Sequence, residues 1–377
     1  MKAKSLKGKT TEEIKDSLEK SMTGGFQPTL AVVFMANENE RNGVTELLSK
    51  KGIQIFGAST GDNFTDGEIE SHTIVILLLD INPVYFQLAI KGAEEGTIKE
   101  IAAQIGKSAL MKFKKPAFLV VSGGLAVDGD EIIAGIESVC GKGTTIFGGL
   151  AADFLRMQRT YVFTNDKLFD YGLLALILDE EKISLGGMAV GGWKPIGMIR
   201  IITKSNGNVV YSIDNEPALD FISRYAGLKD IDTNNAMNFL ISSNFQLQLI
   251  REDKHPVMRT PMQAKPDDRS IVFAGSLPEG SKVKLCLLPG FEVIEAALKE
   301  FVKYKKEQPE PDALILFSCA GRQITLGPYV SEEIDGIKKI WDVPLAGFFC
   351  YGEIGRVVSG QHEFHNMTCS LATLKEK

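Results

Sequence analysis

Three stretches of this chain share one pattern. Ile55 to Asp62 reads IFGASTGD, Ile146 to Asp153 reads IFGGLAAD, and Leu345 to Glu353 reads LAGFFCYGE. In each, an apolar run gives way to a glycine near its end, then a small or polar turn, then a carboxylate. The apolar run reads as a buried strand. The glycine lets the backbone bend there or approach another segment closely.

A longer echo surrounds these turns. After the first comes a strand, HTIVILLLD (His72 to Asp80), and then a helical stretch. A strand PAFLVVSG, a helix GDEIIAGIESVC, the second glycine turn and a strand YGLLALILD follow. The C-terminal half repeats that order. VFAGSLPEGSKVKLCLL reads as a hairpin, FEVIEAALKEFVKYKKE as a helix with Phe291, Ile294, Ala297, Leu298 and Phe301 at helical spacing. PDALILFSCAGR is a strand leaving into a loop, VSEEIDGIKKIW a helix, and FHNMTCSLATL a closing strand after the third turn. The fold class predicted is α/β (α+β): two related mixed-sheet domains from an internal duplication. The expected boundaries are an N-terminal helix in 1–24, with Thr10 and Glu13 at capping-box spacing, then domains at 25–214 and 215–377.

A length of 377 residues suits two or three domains. The net charge of −6 gives no electrostatic reason to expect nucleic acid, and no polybasic run points to anionic membranes. The basic start MKAKSLKGKT lacks the apolar core of a secretory signal, and the run Ile74 to Leu79 is too short to span a bilayer. Five cysteines without a CxxC pair read as reduced thiols. The expected location is the cytoplasm.

Seven stretches resemble the FIST proteins, sensory proteins with an N-terminal and a C-terminal FIST domain: FGASTGD, FGGLAADF, GGWKPIG, ITKSNGNVVYSIDNEPAL, LFSCAGRQITLG, PLAGFFCYGEIG and FHNMTC. They run in family order and cover nearly the whole chain. The resemblance implies an intracellular sensor of a small ligand, with an amino acid the usual suggestion. It implies no catalytic residue and no cofactor. Larger relatives join the module to output domains or, in eukaryotes, to an F-box. Here the expectation is that output comes from a partner such as a kinase or cyclase. Nothing in the sequence fixes a homodimer.

The candidate ligand site centres on the third turn. Backbone N–H groups at Gly347 and Gly352 are placed to face a carboxylate. Tyr351 and Glu353 would hold an ammonium group, and Arg322 would grip a ligand carboxylate with two hydrogen bonds. The competing reading pairs Glu353 with Arg356 or Arg322 as structure. The other turns add Ser59, Thr60, Asp62 and Asp153, which also read as turn caps. Trp193 walls a pocket or simply packs. His365 and Asn366 are expected to hydrogen-bond the neighbouring turn.

Other chemistries fit less well. GASTG matches a nucleophile elbow, but a loop follows it where a helix is required. IGKSA has the tail of a P-loop on a helix, without the first glycine. His362, His365 and Cys369 have ligand-like spacing, yet on a strand those spacings fall on mixed faces. Cys350, a candidate ligand contact by its place in the turn, reads as a plain buried cysteine because no cation stands beside it and Arg356 is the closest; Cys319 reads similarly, with Arg322 close by in the chain. Two alternatives to the sensor stay open: an enzyme using a cysteine nucleophile or Glu353 as acid–base at the 345–355 turn, and a protein-interaction scaffold.

Overall fold

The computed structural model describes residues 1–227, 245–252, 254–287, 290–357 and 360–377. One unit of secondary structure recurs three times. The first runs β1 (Lys2–Gly8), α1 (Thr11–Ser21), β2 (Leu30–Met35), α2 (Arg41–Lys50), β3 (Gln54–Ser59), the hairpin β4 (Asn63–Thr65) and β5 (Glu68–Glu70), and β6 (Ile74–Asp80). The second runs β7 (Phe86–Gly92), α3 (Ile98–Lys112), β8 (Pro116–Gly123), α4 (Gly129–Cys140), β9 (Ile146–Leu150), the hairpin β10 (Val162–Phe163) and β11 (Leu168–Phe169), and β12 (Gly172–Asp179).

The third unit starts at β13 (Ile183–Val190) and is interrupted by an insertion. The insertion holds β14 (Pro195–Asn206), β15 (Val209–Ile213), β16 (Glu216–Pro217), α5 (Ala218–Ala226), β17 (Gln246–Ile250), β18 (Val257–Arg259), β19 (Pro261–Lys265), β20 (Ser270–Phe273) and β21 (Lys282–Cys286). The unit resumes with α6 (Glu292–Glu307), β22 (Ala313–Cys319), α7 (Ala320–Leu326), α8 (Val330–Ile340), β23 (Leu345–Cys350), the hairpin β24 (Glu353–Arg356) and β25 (His362–His365), and β26 (Cys369–Glu376).

Each unit builds a sheet in the same order: β1-β6-β2-β3, β7-β12-β8-β9 and β13-β26-β22-β23. The last two strands of each are parallel and the others antiparallel. The hairpins are exchanged in a ring. β10 of the second unit pairs with β3 of the first, β24 of the third with β9 of the second, and β4 of the first with β23 of the third.

The glycines of the three echoing turns occupy equivalent places in this ring. Gly57 lies opposite Phe163, Gly148 opposite Ile354, and Gly347 opposite Phe64. A Cβ on Gly57 would sit 2.5 Å from the Phe163 ring, and one on Gly148 would sit 1.9 Å from the Val120 carbonyl oxygen. On Gly347 it would sit 2.2 Å from both the Leu316 oxygen and the Phe64 ring. The glycine is therefore required by close approach of the exchanged hairpin and the neighbouring strand.

The inner faces of the three sheets share one core. Phe34 packs on Phe348 with ring centroids 4.7 Å apart and on Phe317 at 6.2 Å. Phe56, Leu119, Phe147 and Leu374 lie fully buried in the same cluster. The outer faces are covered in turn by α1 and α2, by α3 and α4, and by α6 and α8. Strands buried on both faces need continuous apolar sequence, as Ile74–Asp80 and Pro116–Gly123 have.

The mixed α/β class read from the sequence holds. Residues 2–8, expected within the N-terminal helical segment 1–24, form the edge strand β1 against β6, and the helix starts only at Thr11. The expected hairpin over Val272 to Leu288 is not formed: β20 pairs with β15 and β19, while β21 pairs with β14 and β17 (Leu288 lies outside the described residues). The expected boundary at Asp214 falls between β15 and β16, which pair with each other inside the inserted sheet.

Candidate functional site

The insertion has its own apolar core, in which α5 packs on β14, β15, β17 and β21. It is fastened to the body by polar contacts. Arg259, almost fully buried, donates to Asp130 Oδ2 at 2.6 Å and to the Phe364 carbonyl at 3.1 Å. Ser276 donates to Asp128 Oδ2 at 2.6 Å. Thr260 N–H donates to Asn366 Oδ1 at 3.2 Å. Arg251 pairs with Glu363.

Beside these latches the two parts leave a cavity that offers about 90 Å³ to the centre of a water-sized sphere. The body side presents Cys319, Ala320, Ile324, Cys350, Tyr351 and Asn366, and the insertion presents Gln246, Thr260, Pro261 and Met262. Leu155 and Met157 close one end. The wall is mostly apolar, and none of its residues is Asp, Glu, Lys, Arg or His. Two of its residues, Gln246 and Thr260, each carry a side-chain oxygen (Oε1 and Oγ1) that is buried and has no hydrogen-bond partner among the described residues. Native interiors rarely leave such atoms unpaired, because each costs desolvation without return.

Under the floor lies a buried acid. Glu353 Oε2 accepts from Thr368 N–H at 3.1 Å and Thr368 Oγ1 at 2.8 Å, and the Cys350 thiol donates to Oε1 at 3.3 Å. Burial pushes the Glu353 carboxyl up to about 8, against the pull of those hydrogen bonds. Burial, and the neighbouring Glu353 charge, also raise both the Cys350 and Cys319 thiols. The two cysteines are register partners on β22 and β23. Cys319 Sγ lies 3.9 Å from Met367 Sδ, in a small cluster that includes Trp193.

The expected site residues separate into those on the cavity and those elsewhere. Cys350, Tyr351 and Asn366 line it, and Glu353 sits one contact beneath. Trp193 is buried behind the wall, its Nε1 donating to the Met367 carbonyl at 3.1 Å. Gly352 packs under Phe364, which a Cβ would meet at 2.4 Å. His365 is buried, Nε2 facing the Gly355 carbonyl at 3.2 Å, and desolvation pushes its pKa down to about 3. Asn366 donates to the His365 carbonyl and accepts from Thr260, so it ties turn to insertion.

Arg322 requires a correction. Its guanidinium forms a bidentate pair with Glu333, at 2.9 and 2.5 Å, and donates to the Gly191 carbonyl at 2.8 Å. Both side chains are essentially inaccessible to solvent. The fork assigned to a ligand carboxylate is thus occupied by a carboxylate of the protein. The partner is neither Glu353 nor any other residue of the turn. Glu353 is equally withdrawn: fully buried, it presents no charged tip to an ammonium group.

The first two turns hold Ser59, Thr60, Asp62 and Asp153 in structural roles. Ser59 Oγ donates to the Ala152 carbonyl, and Thr60 bonds Asn63. Asp62 accepts from Ser71 and from Gln323. Asp153 receives the N–H groups of Met157, Gln158 and Arg159 and the Tyr351 hydroxyl, capping a loop in which Phe154, Leu155 and Met157 have positive φ. The bends open onto three contiguous depressions. Ala152 and Phe154 are shared between two of them, and Leu155, Ala320, Ile324 and Tyr351 between another two. They do not form one charged cleft.

Sequence reasoning missed Gln246, Thr260, Met262 and Ile324. Nothing local marks them, since they become a wall only when the insertion folds back on β22 and β23. Among the described residues no group of three or more His, Cys, Asp or Glu side chains converges to hold a metal. Nor is any described helix long and apolar enough to cross a membrane.

Comparison with known proteins bears on most of the chain. The FIST N domain family matches residues 29–216 and the FIST C domain family matches residues 218–356. An uncharacterized protein of Mycobacterium tuberculosis is 27% identical over 244 residues, 61% of each chain. One of Mycobacterium bovis is 25% identical over 245 residues, 61% of this chain and 60% of its own. The aligned part thus spans less than two thirds of the curated relatives' length.

Proposed function

The chain belongs to the FIST family, and on that premise we propose that it is a sensory module whose ligand enters the cavity between the inserted sheet and the three-sheet body. FIST domains are associated with sensing in signal transduction and are sensory rather than catalytic domains. The observation that carries the reading is the cavity at this seam, two of whose lining residues, Gln246 and Thr260, keep a buried side-chain oxygen without a partner among the described residues. A ligand that satisfied them would touch both parts at once and alter how firmly Arg259, Ser276 and Thr260 hold the insertion down. Output would then pass to a signalling partner such as a kinase or cyclase, in the cytoplasm. The family resemblance suggests an amino acid, so amino acids are screened beside neutral metabolites.

Calorimetric or thermal-shift screening of the full chain against amino acids and neutral metabolites tests this. Stabilisation by at least one compound, abolished by Ile324→Trp at the cavity mouth, is the expected result. A folded protein that no compound stabilises would remove the sensor reading. Hydrogen exchange at residues 257–286 should change on binding if the seam is the signalling element.

The enzyme alternative draws on the 3.3 Å contact between Cys350 and Glu353. Burial works against it, since the raised thiols hold little thiolate. Iodoacetamide labelling of Cys350 in the native state below pH 7, faster than of unfolded protein, would restore it. Co-purification with a kinase or cyclase without any small-molecule binding would favour the scaffold.

A further inference from the structure

Accepting the cavity as the ligand site, we infer that its ligand is a compact neutral molecule, mainly apolar, with a single amide-like or alcohol-like polar head, and not a zwitterion. Size comes first. One water needs roughly 10–15 Å³ of such volume, so the part between insertion and body, about 90 Å³, accommodates on the order of six to nine non-hydrogen atoms, and anything longer must extend past Leu155 and Ile324 into the adjoining depression.

Charge comes next. A free amino acid brings an ammonium and a carboxylate, each of which must be matched once water is stripped away. The wall offers no charged side chain for either. The buried cations behind the wall are spoken for, Arg322 by Glu333 and Arg259 by Asp130, and Arg156, between Leu155 and Met157, lies over the Phe154 ring in another depression. Glu353 lies beneath Cys350 with both oxygens engaged. The Tyr351 hydroxyl is directed away, toward Asp153 and the Leu155 N–H. Burying either charge here would leave it unpaired.

Two unpartnered oxygens, buried at the cavity's edge and needing to turn toward it on binding, define the head instead. Gln246 is 5% exposed, and its Oε1 accepts from nothing among the described residues. Thr260 Oγ1 has no partner, although its backbone N–H is held by Asn366. One acceptor and one hydroxyl match a primary amide: the NH₂ donates to Gln246 and the carbonyl accepts from Thr260. An alcohol makes the same pair of bonds with one atom. The apolar remainder lies against Leu155, Met157, Pro261, Met262 and Ile324.

Isovaleramide, isovalerate and leucine share an isobutyl group and differ in head charge, so they separate the possibilities. Each is titrated calorimetrically into the full chain and into Ile324→Trp, whose wild-type side chain is exposed and whose replacement should leave the fold intact by circular dichroism. Isovaleramide is expected to bind at least roughly tenfold more tightly than either charged compound, and Thr260→Val to weaken it by about the same factor. Loss of isovaleramide binding in Ile324→Trp would place it in this cavity. Leucine or isovalerate binding as tightly as the amide, and lost in Ile324→Trp, would overturn the neutral-ligand inference while leaving the cavity as the site. No binding by any of the three, or binding unaffected by Ile324→Trp, would overturn the inference and take the cavity reading with it.

Discussion

Replacing Glu353 by Gln should make the protein more stable above neutral pH, the opposite of what removing a buried hydrogen-bonded residue normally does. In the folded state the carboxyl titrates at about 8, against 4.5 when unfolded. Between those values the unfolded chain has released its proton and the folded chain still holds it. Stability therefore falls as pH rises through the window, by ~1.4 kcal/mol per unit and by about 5 kcal/mol in all. That is a large share of the roughly 5–15 kcal/mol that typical domains possess. Gln is isosteric and can still accept from Thr368, so near pH 5 the variant and the wild type should agree within about 1 kcal/mol. By pH 9 the variant should be ahead by several kcal/mol, up to about 5. Urea melts at pH 5, 7 and 9, read by circular dichroism, measure the difference directly. Parallel curves with a constant offset would mean that Glu353 is already ionised when folded, and that the electrostatics assigned to the cavity floor are wrong.

Other substitutions probe the rest of the architecture. Arg322→Ala strands the Glu333 carboxylate in the interior and should cost about 3–5 kcal/mol, with Arg322→Met plus Glu333→Leu recovering most of it in thermal melts. Alanine at the three ring glycines should be graded. Gly148→Ala and Gly347→Ala meet a backbone carbonyl and should cost more in chemical denaturation than Gly57→Ala, which meets only the Phe163 ring. On the acid side, burial holds His365 down to about 3 and His362 to about 4, so both protonate on unfolding and stability drops as pH falls below 6.5. His365→Gln should flatten that limb of an acid titration followed by circular dichroism, and an unchanged midpoint would show that the ring is not neutral in the folded state.

Local chemistry was legible in the sequence wherever it is self-contained. The apolar runs became strands because a segment buried on both faces can carry little else. Thr10 caps α1 by accepting from the Glu13 N–H, as the spacing suggested, while the Glu13 carboxylate takes the Lys9 N–H where a full capping box would take that of Thr10. The glycines at 57, 148 and 347 could be read as points of close approach. What approaches them could not, because Phe163, Ile354 and Phe64 arrive on hairpins exchanged between units, and no local pattern encodes an exchange. Arg322 shows the same limit at the site. The pattern SCAGR presents a cation near a strand end, but its partner Glu333 lies across the Gly327–Pro328 turn on α8. Only the folded turn decides whether that fork is free.

The position of the insertion explains why the cavity forms at one end of one sheet. The parallel pairs β2–β3, β8–β9 and β22–β23 end in equivalent bends, yet only the third unit is interrupted, between β13 and α6. The inserted sheet folds back over Cys319 and Cys350 and encloses volume there. Its hold on the body combines ion pairs at Arg259 and Arg251, a hydroxyl bond at Ser276, a backbone bond at Thr260 and a small apolar patch where Met258 and Cys286 meet Cys319 and Met367. A ligand shifts such an equilibrium only by its differential affinity for the two arrangements. Small ligands gain ~0.3 to ~1.5 kcal/mol per non-hydrogen atom, so seven atoms supply roughly 2–10 kcal/mol. Net hydrogen bonds contribute roughly 1 kcal/mol each, so a compact ligand and this set of latches are matched in scale. An amide bridging Gln246 and the Thr260 hydroxyl would therefore be strong enough to tighten the seam, and weak enough to leave again when its concentration falls.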